Sequence, residues 1–215
     1  MTTRIIKIFK WCLVCIIVFL ISIFLHECGH GFANALRGIE CSTGFNRVGD
    51  IYKYPRDTNF REEYSLVSDS LFDFGVPITL ILAIVATVLF CNVQNRRIKQ
   101  AALPFAVTNS IMRLIPCLWV VLAPLLTGNV HIEDEYGTGV VLAGRLGMPW
   151  LIYIPALFSI FISVICFIFI IVKMKKIMLF RTLSAYGLLL ILSFDITMVI
   201  ANYLDNILRI NWQAL

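Results

Sequence analysis

Five long apolar stretches, each bounded by short clusters of charge, constrain the fold of this 215-residue chain more than any other feature. They run from about Ile5 to Leu36, Phe74 to Cys91, Ala101 to Thr127, Pro149 to Val172 and Thr182 to Leu204. The hydrocarbon core of a bilayer is about 30 Å thick and takes about 20 helical residues to cross, and a backbone in lipid must satisfy its own hydrogen bonds. Stretches of this length and composition therefore predict an all-α, polytopic membrane helix bundle of about five transmembrane segments. With 60% hydrophobic and only 14% charged residues, little sequence is left for a separate soluble module, so residues 1–215 are expected to form a single transmembrane domain.

The net charge of +5 does not point to nucleic acid, because the basic residues fall beside apolar segments instead of forming a stripe. Arg4, Lys7 and Lys10 precede the first segment, Arg96, Arg97 and Lys99 follow the second, and Lys173, Lys175, Lys176 and Arg181 follow the fourth. With five crossings these clusters share one side. The positive-inside rule then places the N-terminus in the cytoplasm and the end of segment one toward the opposite face. That first segment resembles a secretory signal in its first half, but Ile23-Phe24-Leu25-His26-Glu27 lacks the small residues that cleavage requires, so the segment is expected to be retained. The seven cysteines are odd in number and lie mostly in or beside apolar runs, which suits packing better than a disulfide framework.

Segment three contains Pro104, Pro116 and Pro124. An internal proline removes a backbone hydrogen bond at a cost of about 3 kcal/mol unless neighbours compensate, which predicts a kinked or broken third segment lining a cavity. Two polar interruptions, about Glu40 to Asp73 and Gly128 to Met148, read as surface connections, the first as a loop or short hairpin covering the bundle.

The first segment ends in His26-Glu27-Cys28-Gly29-His30. Residues four apart on a helix are separated by about 40° around its axis, so His26 and His30 present their imidazoles to one point, as two adjacent zinc ligands. Glu27 lies about 60° from His30, placed to reach a metal-bound water without ligating the metal, which makes it the natural general base. Two imidazoles and a carboxylate at membrane depth cost several kcal/mol without partners, and this favours metal binding over chance spacing. A catalytic zinc site needs a third protein ligand and one open position. The remaining histidine, His131, lies beside Glu133, Asp134 and Glu135 on the same expected side, and this cluster supplies the candidates.

The stretch from His26 to Leu36, with glycine before the second histidine and small residues after it, resembles the site-2 protease family of membrane-embedded zinc metallopeptidases, especially its short members without extra soluble domains. In that family two histidines and an aspartate from a later segment bind zinc and the glutamate is catalytic. The resemblance implies His26 and His30 as ligands, Glu27 as the catalytic residue and Asp134 as the third ligand. Short members are similar in carrying an asparagine-bearing helix, a proline, and an aspartate ahead of Leu-Gly-x-Pro. These match Asn109, Pro116, Asp134 and Leu146-Gly147-Met148-Pro149, and the match implies that Asn109 holds the substrate backbone. Better-known members carry the aspartate in a compact Asn-Pro-Asp-Gly segment, whereas Asp134 lies well downstream of Asn109 and is followed by Glu135. Gly75 and Pro77 echo a family turn before segment two. The family opens its zinc site toward the cytosolic half of the membrane, opposite to the charge count, and the orientation stays open.

Arg113 and Asp195 are ionisable groups inside apolar segments, and a buried pair between them is the expected arrangement, with a substrate-gating role for either residue as the alternative. The sequence is thus expected to encode a multi-pass membrane zinc (Zn2+) endopeptidase acting on membrane-protein or peptide substrates in or near their transmembrane segments, with the lipid bilayer as its surroundings and no nucleic-acid partner. The alternatives are a non-catalytic adaptor with the same architecture and a small metal transporter using the same polar residues as its path.

Overall fold

A computed structural model describes residues 2–49, 74–176, 193–194, 196–205 and 207–213. The protein is an all-α polytopic helix bundle with a small sheet at one end. Its helices are α1 (Thr2–Leu36), α2 (Gly75–Asn92), α3 (Arg96–Thr127), α4 (Asp134–Leu146) and α5 (Ile154–Lys176), the last entered through a 3-10 turn at Pro149–Tyr153. Four helical stretches among the described residues are long and apolar enough to cross a membrane: Ile8–Leu36, Gly75–Asn92, Arg96–Thr127 and Pro149–Met174. The expected fifth crossing falls largely outside the described residues, although residues 196–204 are helical. Most of the first polar interruption, residues 50–73, is outside them as well.

Two apolar clusters fix the directions of the helices. One joins Cys15 and Phe19 of α1 to Ala86 and Phe90 late in α2, Ala102 and Ala106 early in α3, and Ile170 and Met174 late in α5. The second, at the other end of the bundle, joins Cys117 and Val120 late in α3 to Ala156 early in α5, with Tyr136 of α4 packed against them. Helices α1 and α3 therefore run one way and α2 and α5 the other. The start of α1, the basic turn between α2 and α3, and Lys173 share one end, while the histidine motif and Asp134 lie toward the other.

The turn between α2 and α3 is short because Val93 is extended and the side chain of Asn95 caps α3, accepting from the Arg97 N–H at 2.9 Å. Helix α3 then runs unbroken through all three prolines to a left-handed Gly128. The expected break in segment three does not occur. Pro116 has no N–H for the carbonyl of Met112, one turn back, but Nε of Arg113 donates to that carbonyl at 3.1 Å. The rest of the helix packs against α1, α2 and α5, which supports its continuation.

The second polar interruption holds a helix of its own. Acidic residues fill the first turn of α4 and Arg145 its last, in favourable order for the helix dipole, and a left-handed Gly147 ends it. Gly139 lets α4 press against the carbonyl of Ile152 in the 3-10 turn, where a Cβ has no room.

After α1 the chain turns at Gly38 into β1 (Cys41–Thr43), which pairs antiparallel with β2 (Val48–Gly49) on one side and β3 (Ile210–Trp212) on the other. A short hairpin is what the sequence allows here, but its third strand comes from the far end of the chain. Trp212 donates its indole N–H to Thr43 Oγ1 and lies 6.2 Å from the Phe32 ring. The buried carboxylate of Asp205 accepts from the backbone N–H groups of Phe45 and Asn46 and pairs with Arg47 at 3.6 Å, pinning the hairpin to the C-terminal segment. Asp205→Ala orphans these donors and is expected to cost about 1–3 kcal/mol. Hydrogen exchange followed by mass spectrometry should show faster exchange across residues 41–49 with the spanning helices unchanged; an unchanged hairpin contradicts the tie.

Candidate metal centre

Helix α1 carries His26, Glu27 and His30 on one face, and the first turn of α2 is packed onto that face. Two glycines permit the approach. A Cβ on Gly29 would lie 2.7 Å from the backbone at Phe74 and Gly75, and a Cβ on Gly75 would lie 2.6 Å from His30 Nε2 and 3.0 Å from His26 Cε1. One turn into α2, the Thr79 hydroxyl donates to the Gly75 carbonyl at 3.1 Å, and its oxygen lies 3.0 Å from His26 Nδ1. A hydroxyl has one proton, so with it committed to Gly75 the oxygen accepts from Nδ1–H of His26. That tautomer leaves the lone pair of His26 on Nε2, facing His30.

The third group arrives from α4. Asp134 is its first helical residue, and its Oδ2 lies 3.0 Å from His26 Nε2 and 3.7 Å from His30 Nε2, while the two Nε2 atoms are 3.1 Å apart. The imidazole rings stand nearly perpendicular, at 88°. Ligand atoms about 2.0–2.1 Å from a tetrahedral ion are about 3.3 Å from one another, so these separations fit a single zinc-sized ion. Two imidazole nitrogens this close also repel unless a proton or a cation lies between them. Three protein donors of the His–His–carboxylate type match a catalytic zinc site, which keeps one position open. Burial alone raises the Asp134 carboxyl, but His30 and His26 beside it hold it well below the usual carboxylate range.

Three consecutive acidic residues have three different partners, because successive side chains at the start of a helix fan out by about 100°. Glu133 pairs with His131 at 2.9 Å in a half-exposed position beside Trp119. Asp134 turns to the histidines. Glu135, fully buried, pairs with Arg113 Nη1 at 3.3 Å, and the same Nη1 lies 3.3 Å from Asp134 Oδ2. His131 is therefore held apart from the group formed by His26, His30 and Asp134. Arg113 is tied to Asp134 and Glu135, and the pair expected with Asp195 lies outside the described residues. One guanidinium faces two carboxylates, so this buried cluster carries an excess negative charge of the kind that a cation would offset.

Glu27 is half-buried and interacts electrostatically with His30, His26 and Asp134, but it is not one of the three converging donors. Asn109 is fully buried one turn before Arg113, and its amide donates to Ser22 Oγ at 3.0 Å and to the Phe105 carbonyl at 2.8 Å. Both amide protons are thus committed within the protein. Asn109 thereby ties α3 to α1, while its buried Oδ1 has no hydrogen-bond partner among the described residues.

Sequence reasoning missed Thr79, the contact of Gly75 with both imidazoles, and the link from Arg113 to Asp134. The only signal was the Gly75 to Thr79 spacing, one helical turn at the start of an apolar run. Groups that orient a metal ligand typically affect affinity by about 10–100-fold, so Thr79→Val is expected to weaken zinc binding by that amount. Gly75→Ala should weaken it at least as much, because its methyl displaces the His30 ring. Competition titration against a chromophoric chelator measures both, and wild-type affinity in either variant contradicts this geometry. Comparison with protein-family models, curated proteins and solved structures gives no match for the chain.

Proposed function

We propose that the protein is a membrane-embedded zinc endopeptidase that hydrolyses peptide bonds in or near transmembrane segments of other membrane proteins. The observation that carries this reading is the convergence of His26 Nε2, His30 Nε2 and Asp134 Oδ2 beside a glutamate, Glu27, that stays out of the ligand set. Zinc, when held there, supplies Lewis acidity that brings the pKa of water down to about 7. Glu27 takes the proton from the attacking water and later delivers it to the leaving amine. Thr79 keeps His26 in the tautomer that offers Nε2. Arg113 balances part of the charge of Asp134 and is itself paired with Glu135.

The position of the site supports the proposed substrate class. His26 and His30 are buried in the last third of a membrane-length helix, so a scissile bond must be brought to them within the bundle. A transmembrane helix has its carbonyls hydrogen-bonded within itself, so the reading requires a substrate locally unwound at or near the membrane surface.

The test uses the full chain reconstituted in liposomes with a pool of single-span membrane-protein fragments, and mass spectrometry to find new termini. Wild type should produce fragments that a zinc chelator suppresses. Glu27→Gln should retain stoichiometric zinc and lose cleavage by at least about 100-fold, the scale of general acid–base catalysis. Equal cleavage by wild type and Glu27→Gln refutes the mechanism. Zinc flux into the liposomes without cleavage favours transport.

A further inference from the structure

We infer that Arg113 is the positioning residue for Asp134: it holds the aspartate against the two histidines from a different helix, and Pro116 enables it to do so. The inference rests on the metal reading above and concerns how the third ligand is held. Helix α4 packs mainly against the 3-10 turn and α5, with no extensive contact to α1, so Asp134 reaches the histidines through its side chain alone. It is the first helical residue of α4, preceded by an extended Glu133, where a helix frays most readily. A ligand in that position needs an external anchor.

Arg113 supplies the anchor. Its Nη1 lies 3.3 Å from Asp134 Oδ2 and 3.3 Å from Glu135 Oε2, so it clasps the first two residues of α4 together. The guanidinium is itself fixed, because Nε donates to the Met112 carbonyl at 3.1 Å. That carbonyl lacks its ordinary helical donor because the residue one turn on is Pro116. A proline in α3, a carbonyl, a guanidinium and a carboxylate thus form one connected series ending at the metal-ligating oxygen.

Each member has a physical reason for its identity. A lysine has no planar fork with which to hold the Met112 carbonyl and two carboxylates at once. Without Glu135, a buried cation would stand uncompensated beside the ion that Asp134 is to bind; with it, the guanidinium orients Asp134 while its own charge is neutralised. Glu135 is accordingly 1% exposed, although it does not join the converging donors.

The experiment measures divalent-metal affinity of the full chain in detergent, by zinc competition and by the visible spectrum of the Co2+-loaded protein. Arg113→Gln should bind zinc about 10–100-fold more weakly, the usual effect of removing a group that orients a ligand. The Co2+ spectrum should shift in the same direction as in Asp134→Asn. Arg113→Lys keeps the charge but not the fork, and should recover only part of the affinity. Arg113→Gln leaves Glu135 buried without its partner, so the double variant Arg113→Gln/Glu135→Gln separates folding from positioning. If Arg113 serves only to neutralise Glu135, the double variant regains wild-type affinity, which overturns the inference. If Arg113 positions Asp134, the double variant unfolds at a temperature close to wild type but keeps the weak affinity and altered spectrum. Wild-type protein that binds no metal overturns the centre itself, a result distinct from wild-type affinity in Arg113→Lys and the double variant, which removes only the role given to Arg113.

Discussion

Asp134 Oδ2 lies within about one hydrogen-bond length of His26 and Arg113 and within 3.7 Å of His30, and most of the site is arranged around that oxygen. A carboxylate removed from water loses its hydration and persists only where charge and hydrogen bonds replace it. Three helices contribute the replacement: imidazoles from α1, a guanidinium from α3, and the favourable N-terminal dipole of α4 itself. None of these elements adjoins another in the sequence at the point of contact, so the oxygen acts as a junction for the bundle. The reading of the site as a zinc peptidase is a proposal, but the need to compensate this carboxylate holds whichever cation fills the role.

Close backbone approach is the second constraint. Gly29 and Gly75 allow α2 to start against the ligand face of α1, and Gly31 makes room on the same helix for Thr43 and Trp212 of the sheet. Small residues are the usual means of bringing helices together in a bilayer, where apolar side chains gain little by leaving lipid. Here they let the Thr79 hydroxyl reach His26, because Thr79 lies one turn into a helix whose first residue touches the imidazoles. A peptidase of the proposed kind would gain fixed ligands from this packing.

The apolar stretches, the shared end of the basic clusters and the geometry of the histidine motif were legible because each is a local property: hydropathy over about 20 residues, or spacing over one helical turn. The behaviour of α3 was not. Three prolines argue for a break, and the helix continues because a side chain next to the freed Met112 carbonyl compensates and neighbouring helices enclose the rest. The acidic run 133–135 was legible as a cluster, but its division among His131, the motif histidines and Arg113 depends on the direction in which α4 leaves its first turn. Asn109 stands out in the sequence as a polar residue in an apolar segment, and only the position of Ser22 across the interface reveals a helix tie.

The sequence by itself determined that this protein is a bundle of membrane-length helices and that two imidazoles and a glutamate share one face near the end of the first. Those results follow from periodicity and from the cost of exposing polar groups to lipid, which act within a segment. Tertiary structure decided that Asp134, implied by the family resemblance, meets both histidines, and it alone decided that Thr79 selects the tautomer of His26 and that Arg113 serves Asp134 and Glu135. It also decided that the C-terminal strand joins the hairpin beside the motif. These are contacts between residues 21 to 169 positions apart, governed by how helices and strands pack and how buried charges find partners, and no local pattern encodes them.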